Sequence, residues 1–341
     1  MTDDDIRQSP ELGKQGGDVG AEIDLDLSTC VNPYGPPPSA IDALRAADPD
    51  LLRRHPFNAA AQIEGLYSER LDVAPKDVVA TRGASEALFH LSHVLSTERV
   101  SLPVPTYTEY VRYFPKARYI PGDAKSLTIQ QLDEAAHDSD AILFSNPHNP
   151  TGRYLSKADL LGVVEKNTSC LFIVDESYVD FVENDASPTL VGSTAENVLV
   201  VRSPTKFFGL GGVRVGAIWT RDAKLRSAMT DQRSTWPVSG LDVYIVAKAL
   251  SDTAWQAWAR MRLDEDAKWL DHWLFGRSNI ETVPGPLHFR LITGKVDDLE
   301  RKLASKGIAI RLLNKAHGVG EPAARIAAPA ESERRRLEEI R

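Results

Sequence analysis

The feature that most constrains this chain is a repeated alternation of short apolar runs with amphipathic helical stretches. DVVATRG is followed by SEALFHLSHVL, VSLPVP by TYTEYVRYF, and AILFSNP by SKADLLGVVEKN; CLFIVDE and NVLVVRS come next. Such runs, alternating with helices at this spacing, predict a mainly parallel sheet covered on both faces. A sheet of that kind gathers its ligands at the carboxyl ends of its strands. After Trp236 the pattern changes to a long helical stretch through about Leu274, and LHFRLIT, IAIRLL and a terminal ESERRRLEEIR then predict a smaller α/β unit. The expected division is an arm over residues 1–22, a large domain over 23–240 whose first residues are free to pack with the small one, and a small domain over 241–341.

A chain of 341 residues with 42% hydrophobic and 26% charged residues can build one large core and a smaller one. Its net charge is −8 and its basic residues are scattered, which argues against a nucleic-acid or membrane-surface partner. Cys30 and Cys170 are the only cysteines, and no CxxC or Cys/His cluster points to a metal, so a reducing, cytoplasmic setting is expected. No run approaches the ~18 apolar residues of a membrane span, and the acidic start MTDDDIRQSP lacks a signal-peptide core.

The chemistry lies at the strand ends. After NVLVVRS the chain reads SPTKFFGLGGVRVG, which puts the Ser203 hydroxyl and the Arg214 guanidinium on either side of Lys206, with Gly209, Gly211 and Gly212 permitting close backbone approach. This group could hold a phosphate ester while the amine bonds an aldehyde on the same ligand; a surface lysine in a Gly-rich loop is the plainer alternative. CLFIVDESYVDF ends a strand on Asp175, with Tyr178 three residues on. A carboxylate there should meet a cation or a donor, such as a pyridinium nitrogen, unless it is a helix N-cap. FSNPHNPTG carries Asn149 into a rigid turn, where its amide can donate to a phenolate oxygen. In TRGASEALFHL, Gly83, Ala84 and Ser85 open a helix whose free N–H groups favour a phosphate, although Ser85 as a simple N-cap fits equally well locally. Tyr107 in VPTYTEY could stack on a flat ring or sit in the core.

This set resembles the fold-type I pyridoxal-5′-phosphate (PLP) enzymes of aminotransferase classes I and II, and the resemblance runs from about Gln15 to the last helix. It implies the aspartate-aminotransferase-like α/β fold. It also implies Lys206 as the Schiff-base lysine, Asp175 on the pyridine nitrogen, Asn149 and Tyr178 on the ring oxygen, Tyr107 stacked on the ring, and a phosphate cup of Gly83, Ala84, Ser85, Ser203 and Arg214. Arg325, in AARIAAPAESERRRL, matches the arginine that holds a substrate α-carboxylate. LSTCVNPYGPP, RSTWPVSGL and IAIRLL, with Arg311 fourteen residues before Arg325, are most similar to histidinol-phosphate aminotransferases and threonine-phosphate decarboxylases.

The departures fall near the expected substrate. Gln15-Gly16-Gly17 stands where threonine-phosphate decarboxylases carry HGG, and Cys30-Val31-Asn32-Pro33 stands for NxNP. His55-Pro56 replaces a YP dipeptide whose tyrosine reaches the cofactor phosphate of a neighbouring subunit. The resemblance therefore implies a homodimer, with Gln15, Cys30, Asn32, Arg311 and Arg325 facing the substrate and His55 facing a partner's cofactor. Four activities share these residues: transamination of an amino acid, α-decarboxylation, β-elimination or cyclisation, and binding without turnover. Transamination is the leading expectation, and Lys206 argues against the last.

Overall fold

The computed structural model describes residues 6–7, 17, 22–122, 127–182, 188–277, 279–319 and 322–340. Its centre is a seven-stranded sheet: β2 (Val78–Thr81), β3 (Val100–Val104), β4 (Arg118–Pro121), β5 (Ala141–Ser145), β6 (Leu171–Asp175), β7 (Val198–Arg202) and β8 (Gly216–Thr220), in the order β2-β8-β7-β6-β5-β3-β4. The β7-β6-β5-β3-β4 run is parallel, and β8 pairs antiparallel with both of its neighbours. The five apolar runs read as strands all lie in this sheet. Strands β4 and β8 were not anticipated.

Strand periodicity divides each run between two cores. Ile142, Phe144, Phe172, Val174, Val198 and Val200 pack on one face, and Ala141, Leu143, Ile173, Leu199 and Val201 on the other. Both faces are dry because helices cover them, which is why β3, β5 and β7 are buried at every position and read as continuous apolar runs. Each buried Leu, Ile, Val or Phe in these layers stabilises the fold by roughly 1.5–3 kcal/mol.

The helical stretch after Trp236 is two helices, Gly240–Ser251 and Thr253–Phe275. Asp252 separates them, because its carboxylate accepts the Trp255 N–H at 3.1 Å and starts the second helix. Beyond them an antiparallel sheet forms from β9 (Ile280–Val283), β10 (Phe289–Gly294), β12 (Arg311–Leu313) and β13 (Ala323–Ala327), in the order β12-β13-β10-β9. IAIRLL is split: Ile308–Ala309 forms β11, which pairs in parallel with β1 (Leu25–Asp26), while Arg311–Leu313 pairs with β13. Leu25–Asp26 thus joins a strand from the far end of the chain. The terminal segment forms a 3₁₀ turn, Glu331–Glu333, and a helix, Arg334–Glu338. Among the described residues, no helix is long and apolar enough to cross a membrane.

Candidate active site

Lys206 lies in the turn that follows β7, and its Nζ donates to the Thr29 carbonyl at 3.0 Å. Burial, reinforced by the Arg325 guanidinium, pulls its pKa down to about 8, so the neutral amine becomes the major form only above that pH but is far commoner than for an ordinary lysine. The turn is held from the N-terminal side. Asn32 N–H donates to the Lys206 carbonyl at 3.0 Å, Asn32 Nδ2 donates to the Phe207 carbonyl at 2.8 Å, and Asn32 Oδ1 accepts the Tyr34 N–H at 2.9 Å. Gly209 has φ +64°, and a Cβ there would come within 2.7 Å of Gly35 Cα, so the two loops meet where a side chain has no room.

Asp175 is the last residue of β6 and is 6% exposed. Its Oδ2 accepts the Tyr110 hydroxyl at 2.7 Å, and its Oδ1 accepts the Ser177 N–H at 2.9 Å and hydroxyl at 2.5 Å. The carboxylate therefore caps a turn, not a helix, and also lines the cavity. Behind it the buried Arg202 pairs with the buried Glu176 at 3.0 Å and with the half-buried Asp180 at 2.9 Å. These charges tie the β6 and β7 ends, and so the positions of Asp175 and Ser203, into one rigid unit. Tyr107 and Tyr178 also line the cavity; Tyr107 meets Tyr110 edge-on with ring centres 5.4 Å apart. Burial pushes the phenol pKa of both far up, so both remain protonated.

At one end of the cavity the helix Ala84–Val94 begins at Gly83, which supplies no side-chain cap. Ser85 lies inside the helix, and its reading as an N-cap does not hold. Gly83 has φ +87°, and a Cβ on it would stand 2.8 Å from Arg214 Nη2, so the glycine brings the guanidinium against the helix terminus. Arg214 meets no carboxylate among the described residues. Ser203 and Thr205 hydroxyls, 2.8 Å apart, complete this side. The helix N-terminus, a guanidinium that meets only the Gly211 carbonyl among the described residues, and two hydroxyls form a cradle for a phosphate.

The opposite end is built from the second sheet. Arg311 and Arg325 are direct partners across β12 and β13, which places both on one sheet face, and both line the cavity. Arg325 donates from Nη1 to Asn149 Oδ1 at 2.5 Å and from Nη2 to the Ser28 carbonyl at 2.6 Å, and its guanidinium lies over the Phe289 ring at 5.4 Å. Because the Asn149 oxygen is taken by a cation, the amide keeps Nδ2 as its remaining donor. His317 also lines this end.

Most residues expected from sequence thus converge on one cavity of about 280 Å³: Lys206, Asp175, Tyr178, Tyr107, Asn149, Ala84, Ser85, Ser203, Arg214, Arg311 and Arg325 all line it. Gly83 stands just outside, packed on Arg214. Two do not fit the substrate role expected of them, and a third, expected to face a partner subunit, lies away from this cavity. Cys30 is 1% exposed, adopts φ +52° and packs in the core, so its side chain does not line the cavity. Asn32 spends its amide on the backbone around Lys206. His55 lies in a separate surface cleft, stacked on Trp236 with ring centres 4.1 Å apart. Gln15 lies outside the described residues; Gly17, two positions on, donates its N–H to Ser28 Oγ at 3.1 Å. Thr29, Tyr110, Thr205 and His317 were missed. Tyr110 was the most accessible of these, since its spacing of three from Tyr107 places both on one helix face.

A family model for aminotransferase class I and II matches residues 22–340. The chain belongs to that family. It is a PLP-dependent, aminotransferase-like enzyme with the aspartate-aminotransferase-like fold. It is 33% identical to histidinol-phosphate aminotransferase 2 of Burkholderia mallei over 245 residues, 68% of this chain and 67% of that one. It is 26% identical to the threonine-phosphate decarboxylase of Salmonella typhimurium over 326 residues, 92% of this chain and 89% of that one. The crystal structure of histidinol-phosphate aminotransferase from Sinorhizobium meliloti in complex with PLP superposes with a TM-score of 0.80 at 19% identity, covering 92% of this chain and 89% of that one. The cradle beside Lys206 fits a phosphorylated aldehyde cofactor on its own geometry.

Proposed function

We propose that this enzyme transaminates an α-amino acid, with Lys206 as the residue that would bind the cofactor aldehyde and, once displaced by the substrate amine, move the α-proton. The observation that carries this reading is the half-buried Lys206 amine, bonded among the described residues only to a backbone carbonyl and lying between an anion-binding cradle and a paired-arginine end. Ala84, Ser85, Ser203, Thr205 and Arg214 hold the cofactor phosphate. Asp175 holds the pyridine nitrogen, Asn149 Nδ2 and the Tyr178 hydroxyl hold the ring oxygen, and Tyr107 covers the ring. The cofactor supplies an electron sink for the charge left when an α-bond breaks.

The protein's part is placement and proton transfer. Asp175, with its position fixed by Tyr110 and Ser177, keeps a negative charge where a protonated ring nitrogen needs one. Arg325 offers a planar fork to the substrate α-carboxylate and thereby orients the Cα–H bond toward Lys206. With its pKa near 8, Lys206 accepts that proton when neutral and returns it when charged, close to the pH at which a base works best. The chain-long match to a threonine-phosphate decarboxylase keeps decarboxylation as the second reading.

Mixing the purified holoenzyme with a panel of amino acids, while following the cofactor absorption band and the products by mass, tests both readings. Keto acids are expected; release of carbon dioxide as the main product would replace the first reading with the second.

We also assign the surface around His55 to a second copy of the chain, in a cytoplasmic homodimer. The His55–Trp236 stack meets the ring of Phe57, 75% exposed, and Trp236 is itself 42% exposed, an apolar cluster that association would cover. Light scattering should report a dimer, and a fully active monomer at assay concentration would refute the assignment.

A further inference from the structure

We infer that Asp180 is a positioning residue for Lys206: it holds the guanidiniums of Arg70 and Arg260 over Phe208 and Phe207, the two rings that root the lysine's turn in the core. This role rests on the reading of Lys206 as the group that binds the cofactor and moves the α-proton. Asp180 lies in the 3₁₀ turn Val179–Phe181, shortly beyond Asp175. Cations from three elements meet it. Its Oδ1 accepts Arg202 Nη2, from β7, at 2.9 Å and Arg70 Nη2, from the helix Ala59–Leu71, at 3.1 Å. Its carbonyl accepts Arg260 Nε, from the helix Thr253–Phe275, at 2.8 Å.

Two of these guanidiniums also reach the Lys206 turn. Arg260 lies over the Phe207 ring at 4.9 Å and Arg70 over the Phe208 ring at 5.7 Å. Both rings are fully buried; Phe207 meets Phe181 edge-on with ring centres 5.2 Å apart, and Trp255 packs on both rings. Phe207 and Phe208 follow Lys206 directly, so whatever holds these rings sets the backbone from which the lysine side chain leaves. A cation is attracted to an aromatic face, and more strongly when both are out of water. Asp180 decides whether those cations stay. Burial works against its charge, yet Arg202, Arg70 and Arg260 hold its carboxyl below the usual carboxylate range. The carboxylate lets Arg70 and Arg202 share one oxygen; without its charge the two cations would repel and Arg70 would draw away from Phe208.

The surrounding contacts keep the fold when Asp180 changes. Arg202 retains Glu176 at 3.0 Å, and Arg70 retains Gln256 Oε1 at 3.1 Å and the Leu250 carbonyl at 3.3 Å. What changes is the placement of the Lys206 amine, which the Thr29 carbonyl holds from the other side. Proton transfer needs Nζ within close reach of the reacting carbon, so a looser turn slows that transfer and admits water to the amine. Arg214 and Arg325, carried on other segments, go on binding phosphate and carboxylate.

Two variants test this: D180N, which keeps the shape and removes the charge, and R260M, which keeps a stem over Phe207 and removes the cation. The first readout is the rate at which the full-length apoprotein combines with PLP as a function of pH. Water reaching the amine raises its pKa, so both variants should move the midpoint upward from about 8, by roughly half a unit or more. The second readout is the holoenzyme with the amino acid that reacts fastest in the panel, in α-hydrogen and α-deuterium forms. There kcat should fall about 10-fold and the deuterium effect on kcat should rise, with KM and PLP affinity within about twofold of the wild type. A merely structural role would lower thermal stability and leave the midpoint and the isotope effect at their wild-type values. That result overturns the inference, as does an equal loss in KM or PLP affinity; if D180N does not fold, R260M alone decides. Borohydride fixing the cofactor to another lysine in the wild type would instead overturn the reading of Lys206, and this role with it.

Discussion

The two ends of the cavity are built by different means. The cradle end comes from the ends of β2 and β7 and the start of the antiparallel β8 between them, so each ligating group sits within a few residues of the strand that aims it. The arginine end comes from strand register in the second sheet, a docked loop, and backbone carbonyls some 300 positions earlier in the chain, as in the Arg325 bond to Ser28. A site assembled from local turns resists remote change, whereas one assembled from register and loop docking can be retuned without disturbing the other end.

The sharpest probe of this contrast is Lys206, which both ends share. Lys206→Ala should lower turnover by at least a thousand-fold, on the order of 4 kcal/mol, in a protein that stays folded. Borohydride should then no longer fix cofactor to the chain, and a reduced adduct on another lysine in the wild type would remove Lys206 from its role. Asp175→Ala should cost roughly a hundred-fold or more in kcat while the phosphate cradle keeps the cofactor bound. If cofactor loss accounts for the whole effect, the carboxylate is only the turn cap for Ser177. Arg325→Lys should cost about 10- to 100-fold in kcat/KM, through KM for the amino acid and with cofactor affinity intact, because an ammonium lacks the two-pronged fork. An equal loss of cofactor affinity would mean the two ends are not separable.

A smaller effect is expected from pH. A lysine whose folded pKa is lowered binds fewer protons than in the unfolded chain between about 8 and its ordinary 10.5, so apoprotein stability should rise with pH across that window. In the same preparation the rate of combination with PLP should climb toward pH 8 and level off above it, as the neutral amine becomes the major form. A rate that keeps climbing to pH 10 would show that Lys206 titrates as an ordinary surface lysine. Smallest of all, Tyr110→Phe removes one neutral donor from Asp175 and should slow turnover only a few-fold, about 1 kcal/mol.

The same contrast explains what could be read from sequence. Asp175, Asn149, Ser203, Lys206 and Arg214 were legible because each follows an apolar run whose end is visible in the chain. Strand β4 was missed because ARYIPG is short and ends in Pro and Gly, and β8 because VGAIWT follows a Gly-rich loop that suggested irregular structure. Cys30 and Asn32 were placed by resemblance on the substrate. In the structure the backbone of their neighbours does that work, with the Ser28 carbonyl on Arg325 and the Thr29 carbonyl on Lys206. Carbonyl contacts carry no side-chain signature, so Thr29 left no trace to read. His317 was invisible for a related reason, since only the docking of its loop on Thr106 brings a ring in a polar connection to the cavity.

The segment from Leu27 to Asn32 changes how this enzyme could be recombined with its relatives. Leu27 is bonded to Ala309 of β11 and to Ala327 of the second sheet, Ser28 and Thr29 to the two cations, and Asn32 to the turn of Lys206. A chimera that exchanges only the C-terminal third, in order to import a relative's substrate preference, would leave the host's own six-residue splice against foreign strands. Arg325 and Lys206 would then be positioned by mismatched halves. The unit of exchange is therefore discontinuous in the chain, and a graft should carry residues 27–32 together with the second sheet.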